Sequence, residues 1–208
     1  THFWFNPELR NEAYMVPGVV VLILTVITLL IGALGMVKEK EDGTLEQLMV
    51  TPIKKYQLIL GKQLPFLLYA LIEVIIILKL AEIVFNLHLS GSLLTLYIII
   101  FLFLFTTLGL GLLVSTLSGT QQQALFLAWF VMVVMIMFSG FFVPIENMPE
   151  WLQKVTYLNP MRYVMTSVRE IYLKGTPLLY LKDQALPLLA LGITIFSTSV
   201  LKFSKKIS

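Results

Sequence analysis

Residues 17–37 carry no charged side chain, and this long apolar run constrains the fold more than any other feature of the chain. As a helix, a run of this length can cross the hydrocarbon core of a bilayer. Lipid offers backbone polar groups no partner, so a spanning segment must satisfy them internally as a helix. Further mostly apolar runs of similar length follow at about 64–87, 93–115, 122–142 and 186–203. The sequence therefore predicts an all-α membrane protein with five transmembrane helices.

The composition agrees with a membrane protein and excludes several kinds of site. Apolar residues make up 58% of the 208 positions, whereas soluble domains usually have about 45–50%. The absence of cysteine excludes disulfides, thiol catalysis and Cys-ligated metal. His2 and His88 lie far from any carboxylate pattern, so no metal site is predicted. No basic stripe runs along the chain, and nucleic acid is not expected as a partner.

Residues 38–63 form the densest block of charge and separate the first two apolar runs, which predicts a loop in water. Within the block, Thr44 and Gln47 have the spacing of a capping box, so a short helix is expected to begin at Thr44. Gly43 lets the chain turn before this helix, and Pro52 ends it. About two turns of helix are unstable alone in water, so either the neighbouring membrane helices or a soluble partner should cover its apolar residues, Leu45, Leu48 and Met49.

The stretch KEKEDGTLEQLMVTP resembles the E-R/K-E-x-G-T-x-E-x-L-x-x-T-P segment of ABC-2 type transporter permeases. In that family, the loop after the second membrane helix forms a coupling helix that contacts the ATP-binding subunit. The resemblance implies that the short helix docks on such a subunit. The matching positions, which become the candidate ATPase-coupling residues, are Glu39, Glu41, Gly43, Thr44, Glu46, Leu48, Thr51 and Pro52.

The resemblance implies the membrane-spanning subunit of an ATP-driven ABC exporter, which forms the substrate path. The implied partners are the lipid bilayer, separate ATP-binding cassette subunits and a second permease copy, in a homodimer or heterodimer. ATP and Mg²⁺ are expected on the partner subunits, with no cofactor bound by this chain. The sequence contains no G-x-x-x-x-G-K-S/T motif, so neither a P-loop nor an enzyme site of its own is expected.

The resemblance also bears on topology and location. Family members usually have six membrane helices, so this chain is expected to be the C-terminal membrane part of a longer permease. A multi-pass protein of the cell membrane is expected, in the inner membrane if bacterial. Lys and Arg are slightly more numerous at residues 38–63 and the C-terminus than on the opposite side. This bias agrees with the family's topology, in which the coupling loop is cytoplasmic and residues 1–16 and 143–185 lie outside.

The outer stretch 143–185 is predicted to contain two short helices. One covers 149–157, and Asn159 with Pro160 indicates a cap and an N1 proline that open the second, which Lys174 and Gly175 close. About fifteen residues cannot span a bilayer, so the second helix is expected to be interfacial or re-entrant. The segments MPEWLQ and LNPMRY resemble the part of ABC-2 permeases that forms an outer gate. The resemblance implies gate roles for Asn159, Pro160, Arg162 and Tyr163.

Glu73 lies near the middle of the predicted span 64–87. An unpaired carboxylate there costs several kcal/mol, so Glu73 should be protonated or should face a polar cavity or partner. A structural and a functional role both stay open. The alternative function is a gradient-driven secondary transporter or channel that uses Glu73, although the chain shows neither inverted repeats nor a charged pore lining. Lys79 and Glu82, three residues apart, are expected to pair.

Three further expectations concern the helices themselves. Asn6 and Pro7 predict a short surface helix that ends before Pro17. Small residues favour close helix approach, which is expected at Gly32, Gly35, Gly109 and Gly111. In the family, the substrate path runs between two permease halves along the second and fifth helices, so the resemblance implies that a subset of five residues lines it, namely Thr25, Thr28, Phe126, Trp129 and Phe130.

Overall fold

A computed structural model describes residues 11–44, 55–85 and 88–206, with side chains described at 15–44, 57–85 and 88–202. All the regular elements in these ranges are helical, which confirms the all-α prediction for this part of the chain. The α-helices are α1 Asn11–Glu41, α2 Lys55–Phe85, α3 Leu93–Leu117, α4 Gln121–Met137, α5 Glu150–Thr156, α6 Pro160–Arg169 and α7 Lys182–Lys206. A π-helical turn, Glu170–Lys174, extends α6, and the 3₁₀ turns Ile145–Asn147 and Leu178–Leu181 lie beside α5 and α7.

Among the described residues, three helical segments are long and apolar enough to cross a membrane, namely Met15–Glu41, Leu93–Leu117 and Leu178–Lys202. Helix α4 is apolar but has 17 residues. Helix α2 has 31 residues and presents an outward row of apolar side chains that suits lipid, including Leu64, Leu68, Ile72, Ile76, Leu80 and Ile83. A multi-pass membrane protein follows, while the exact number of five spans stays a prediction.

Helix α3 lies at the centre of the bundle. It packs most extensively against α7 and α1, while α1 also contacts α2, α4 and α6. Helix α6 is too short to span a bilayer, yet its apolar face is buried in the main core. The predicted apolar face of this helix is therefore confirmed, and its fully or almost fully buried members are Met161, Val164, Val168, Ile171 and Tyr172.

Helices α1 and α3 cross in backbone contact at two glycines. A Cβ atom added to Gly111 would lie 2.8 Å from the carbonyl carbon of Gly32 and 2.9 Å from the backbone nitrogen of Ala33. One turn away, the Thr28 hydroxyl lies 3.0 Å from the Thr107 hydroxyl. The predicted close approach is confirmed at Gly32 and Gly111, because a Cβ atom on Gly111 would overlap the α1 backbone. A Cβ atom on Gly32 would lie 3.4 Å from the Gly111 Cα atom, which is an ordinary contact distance.

The remaining two glycines also lie at helix contacts. A Cβ atom on Gly109 would lie 3.3 Å from the backbone of Phe196 in α7. The Ser199 hydroxyl of α7 donates to the Gly109 carbonyl at 2.8 Å. A Cβ atom on Gly35 would lie 2.7 Å from the ring of Phe66 in α2. Small residues thus mark the contacts of α1 and α3 with their neighbours.

The two ends of α1 define the two ends of the bundle. At one end, a Cβ atom on Gly18 would lie 2.7 Å from the ring of Phe141, beside α6. At the other end, Glu41 contacts the start of α4. We call the first the gate end and the second the loop end. Since α1 has 31 residues, it is about 46 Å long and connects both ends.

Two predicted boundaries around α1 are wrong. Helix α1 begins at Asn11 and continues through Pro17, where the predicted surface helix should already have ended. A helix packed among neighbours tolerates the loss of the hydrogen bond that proline removes. The predicted loop 38–63 is too long, since α1 ends at Glu41 and α2 begins at Lys55. Lysines in the last turn of α1 interact favourably with the helix dipole, so charge there favours helix as well as loop.

Two later boundaries also differ from the prediction. Helix α4 ends at Met137 rather than 142. The Ser139 hydroxyl donates to the Ile136 carbonyl at 2.7 Å and accepts from the Phe141 backbone at 3.1 Å, so the chain turns there. Helix α7 begins at Lys182 rather than 186 and contains Pro187, while α2 likewise contains Pro65.

We expect Gly111→Ala to lower the free energy of unfolding by about 1–3 kcal/mol, because the new methyl group would push the α1 backbone away. Gly61→Ala is the matched control, since a Cβ atom there meets nothing within 4 Å. Thermal melting of both variants in the same detergent measures the difference. Equal melting temperatures would contradict the backbone contact.

Candidate functional site

The first candidate site is the loop end of α1, where three consecutive side chains reach three other helices. Glu39 pairs through Oε1 with the Lys62 ammonium of α2. Both side chains are partly buried. The two helices that flank the predicted coupling loop are therefore joined to each other just before the loop begins.

Lys40 reaches the end of α3. Its ammonium donates to the backbone carbonyl of Ser118 and lies 3.4 Å from that of Ser115. These carbonyls belong to the last turn of α3 and its cap, where the helix dipole is negative. A cation at this position satisfies carbonyls that the helix itself leaves unpaired.

Glu41 reaches the start of α4. Its Oε2 accepts from the backbone N–H of Gln121 at 3.0 Å. Gln121 is the first residue of α4, where the helix dipole is positive and the N–H groups have no partner within the helix. Lys40 and Glu41 thus place opposite charges on the two helix ends that complement them.

The structure describes half of the predicted ATPase-coupling residues. Gly43 has a φ of +71°, which confirms the predicted turn after α1. The Thr44 hydroxyl donates to the Glu39 carbonyl at 3.2 Å. Apart from its first residue, Thr44, the predicted short helix lies outside the described residues, and with it Glu46, Leu48, Thr51 and Pro52.

The second candidate site is the predicted outer gate. Asn159 caps α6, since its Oδ1 accepts from the backbone of Met161 at 3.0 Å, and Pro160 follows as the first helical residue. The other side of the same amide donates to the Met135 carbonyl of α4 at 2.7 Å. The predicted cap is confirmed, and one side chain joins the start of α6 to the end of α4.

Arg162 and Tyr163 join α6 to α5. The Arg162 guanidinium donates to the Gln153 carbonyl at 3.1 Å and to the Thr156 hydroxyl, and it lies 4.0 Å from the Tyr157 ring centroid. The Tyr163 hydroxyl donates to the Tyr157 carbonyl at 2.8 Å. Burial raises the pKa of Tyr163, against the opposing charge of Arg162, so this hydroxyl keeps its proton as a donor.

The four predicted gate residues therefore lie together. They hold α5, α6 and the end of α4 as one unit at the gate end, where α1 also packs through Gly18. Beside this unit, a cavity of about 450 Å³ opens between the 138–140 turn and α6, and its polar lining includes Ser139, Glu146, Thr166 and Arg169.

The five predicted path residues are not brought to one surface. Thr25 and Thr28 are buried in the bundle, where their hydroxyls donate to the carbonyls of Val21 and Leu24. The aromatic residues of α4 point outward instead. Their exposed fractions are 63% for Phe126, 56% for Trp129 and 62% for Phe130.

The ionisable residues predicted inside the second span are Glu73, Lys79 and Glu82. Lys79 donates to Glu82 at 2.8 Å, which confirms the predicted pair, and His88 lies 3.7 Å from the same carboxylate. Glu73 is partly buried, and its Oε1 has no hydrogen-bond partner among the described residues. Within those residues, no cluster of three or more His, Asp or Glu side chains could hold a metal ion.

Sequence reasoning missed Lys40, Ser118 and Gln121. Residues 40 and 118 are 78 positions apart, and residues 41 and 121 are 80 apart. The short polar link between α3 and α4 indicates a turn, but no local pattern shows which charges lie against it.

Comparison with known proteins assigns the family. The model of the ABC-2 type transporter family matches residues 1–173. The probable multidrug ABC transporter permease YbhR of Escherichia coli (strain K12) is 34% identical over 98% of this chain and 55% of its own length. The probable multidrug ABC transporter permease YbhS of the same strain is 32% identical over 100% of this chain and 55% of its own length.

A more distant match extends to a eukaryote. ABC transporter G family member 20 of Dictyostelium discoideum is 27% identical over 92% of this chain and 26% of its own length. The chain belongs to the ABC-2 type transporter family, as the motifs around the loop predict. It spans about half the length of the two E. coli relatives.

We expect Asn159→Ala to lower the free energy of unfolding by roughly 2 kcal/mol, because the change removes the helix cap and leaves the Met135 carbonyl without its donor. Asn147→Ala is the control, since Asn147 is exposed in the neighbouring 3₁₀ turn. Thermal melting and limited proteolysis between α4 and α6 would measure the effect. An equal response of both variants would contradict the joining role of Asn159.

Proposed function

We propose that this chain is part of the membrane-spanning subunit of an ATP-driven ABC exporter, in which the loop after α1 binds a separate ATP-binding cassette subunit. Family membership supports the class of protein. The observation that carries the coupling role is the attachment of the loop end of α1 to α2, α3 and α4 through Glu39, Lys40 and Glu41. A force on this loop acts on four helices at once.

The proposed mechanism uses α1 as the connection between the two ends. When the ATP-binding subunits close, they displace the segment between Gly43 and Lys55, and α1 moves with it. At the gate end, α1 packs against the Phe141 ring, and Met165 of α6 lies beside the same contact. Movement at the loop thereby reaches the unit formed by α5, α6 and the end of α4. ATP and Mg²⁺ are held by the partner subunits in this mechanism.

The exposed aromatic residues of α4 support a proposal for the position of the substrate path. We place Phe126, Trp129 and Phe130 toward a second permease copy, with the path between the two copies. Because Thr25 and Thr28 are buried against the bundle, they join the path only if α1 and α3 separate. The three aromatic residues are the better candidates for substrate contact.

Glu46→Lys is expected to weaken binding of the ATP-binding subunit at least about tenfold, equivalent to about 1.4 kcal/mol, because it reverses a charge in the predicted docking helix. Glu150→Lys is the control, since it makes the same change at an exposed position of α5 near the gate end. Co-purification of the full-length permease with its candidate ATPase in nanodiscs measures binding. Failure of the wild-type protein to bind any ATPase would overturn the proposed function.

A second variant tests the same helix without changing charge. Leu48→Pro should break the two-turn helix, since proline in a helix interior costs about 3 kcal/mol. ATP hydrolysis and export are then expected to become uncoupled while the membrane helices still assemble. Normal export by this variant would show that the segment couples without being helical.

Glu73→Gln separates the exporter from a gradient-driven transporter. The buried Oε1 of Glu73, which has no hydrogen-bond partner in the part of the chain that the structure describes, is the observation that favours a proton or ion step. In membrane vesicles we expect ATP-dependent transport to continue in the Glu73→Gln variant and in the presence of an uncoupler. If transport is lost in the Glu73→Gln variant and also in the wild-type protein with the uncoupler, although ATP is supplied, the gradient-driven mechanism would be favoured instead.

A further inference from the structure

The turn that joins α3 to α4 is contacted on one side by the positive charge of Lys40 and on the other by the negative charge of Glu41. From this arrangement we propose that Lys40 and the backbone N–H of Gln121 are positioning groups, which carry the movement of the coupling loop into α4. The inference rests on the proposed function and adds a second route for the force. The first route runs along α1 to the gate end, whereas this one passes from the charges at the end of α1 into the start of α4.

In both contacts, the charge of the side chain is opposite to the partial charge of the helix end that it touches. The Ser118 backbone N–H and hydroxyl are used within α3, since both donate to the Val114 carbonyl, at 3.0 and 2.9 Å. The Ser118 carbonyl is left to accept from Lys40. On the other side of the turn, Glu41 accepts from the first N–H of α4. Moving the end of α1 away from the turn would separate both charges from their helix ends.

The turn itself is stiff enough to transmit such a movement. The Thr120 hydroxyl accepts from the backbone N–H of Gln123 at 3.3 Å, and the Gln123 side chain accepts from the Gly119 backbone at 2.9 Å. These two bonds link the turn to the first residues of α4. A displacement of the turn therefore displaces the helix that follows it.

Packing beyond the turn keeps α4 against α1. Ala124 and Ala128 are completely buried in a cluster with Leu29, Ala33 and Val37 of α1. The aromatic residues Phe126, Trp129 and Phe130 lie on the exposed side of the same helix. Because α4 packs against α1 through its alanines and its first residue is bound by Glu41, a movement of α1 would also move the exposed aromatic residues of α4.

Gln121→Pro is the sharpest test. Proline suits the first position of a helix and has no N–H, so this change removes the donor to Glu41 and leaves Glu41 itself unchanged. Thr120 already has extended backbone angles, φ −129° and ψ 157°, which a following proline requires. Gln121→Ala is the matched control, because it keeps the backbone N–H and removes only the side chain.

Lys40→Met tests the other charge, and Lys40→Arg should rescue it, because guanidinium can also donate to the α3 carbonyls. Lys38→Met is the control, since Lys38 is exposed in the same turn. The full-length permease with its ATPase is reconstituted in liposomes, and ATPase binding, ATP hydrolysis and transport are measured together. We expect Gln121→Pro and Lys40→Met to bind the ATPase normally and to transport about five-fold less per ATP hydrolysed.

The outcomes separate this inference from the proposed function. Unchanged transport per ATP in Gln121→Pro would overturn the inference. Loss of ATPase binding in Lys40→Met would also overturn it, since Lys40 would then belong to the docking surface. If Lys40→Met fails to fold, Gln121→Pro and its alanine control decide the question alone. Failure of the wild-type permease to bind or stimulate the ATPase would instead overturn the proposed function.

Discussion

The backbone contact between α1 and α3 determines how close the central helices of this protein can lie. A Cβ atom on Gly111 would overlap the α1 backbone at Gly32 and Ala33. In lipid, where apolar surfaces gain little from leaving their solvent, such close packing is a main source of helix association. Helix α3 is then free to pack its other side against α7, again at a glycine. The rest of the bundle, including the buried helix α6, assembles around this pair.

Much of this fold can be predicted from local patterns. The uncharged run at 17–37 predicts a membrane helix, and Asn159 with Pro160 predicts the start of α6, because both signals act within one or two turns of the chain. Helix ends are harder to predict. Charged residues such as Lys38 and Lys40 suit a loop in water and the last turn of a helix equally well, so the predicted loop was too long at both ends.

In the candidate sites, too, local contacts can be predicted from the sequence, whereas contacts between distant residues cannot. The cap at Asn159 is a local property, and its second bond to Met135 is not. The contacts of Lys40 and Glu41 join residues about eighty positions apart, and only the packed bundle brings them together. The rotation of α1 is likewise set by tertiary packing, so the sequence predicts that Thr25 lies in a membrane helix without indicating that its side chain is buried.

The positions of the prolines give the two helices that flank the loop different mechanical properties. Helix α1 has its proline, Pro17, near the gate end and none between there and the loop. Helix α2 has Pro65 in its third turn from the loop, where the missing N–H leaves a point of easy bending. Helix α1 should therefore bend little when the loop is displaced, whereas α2 can bend at Pro65 and absorb part of that displacement.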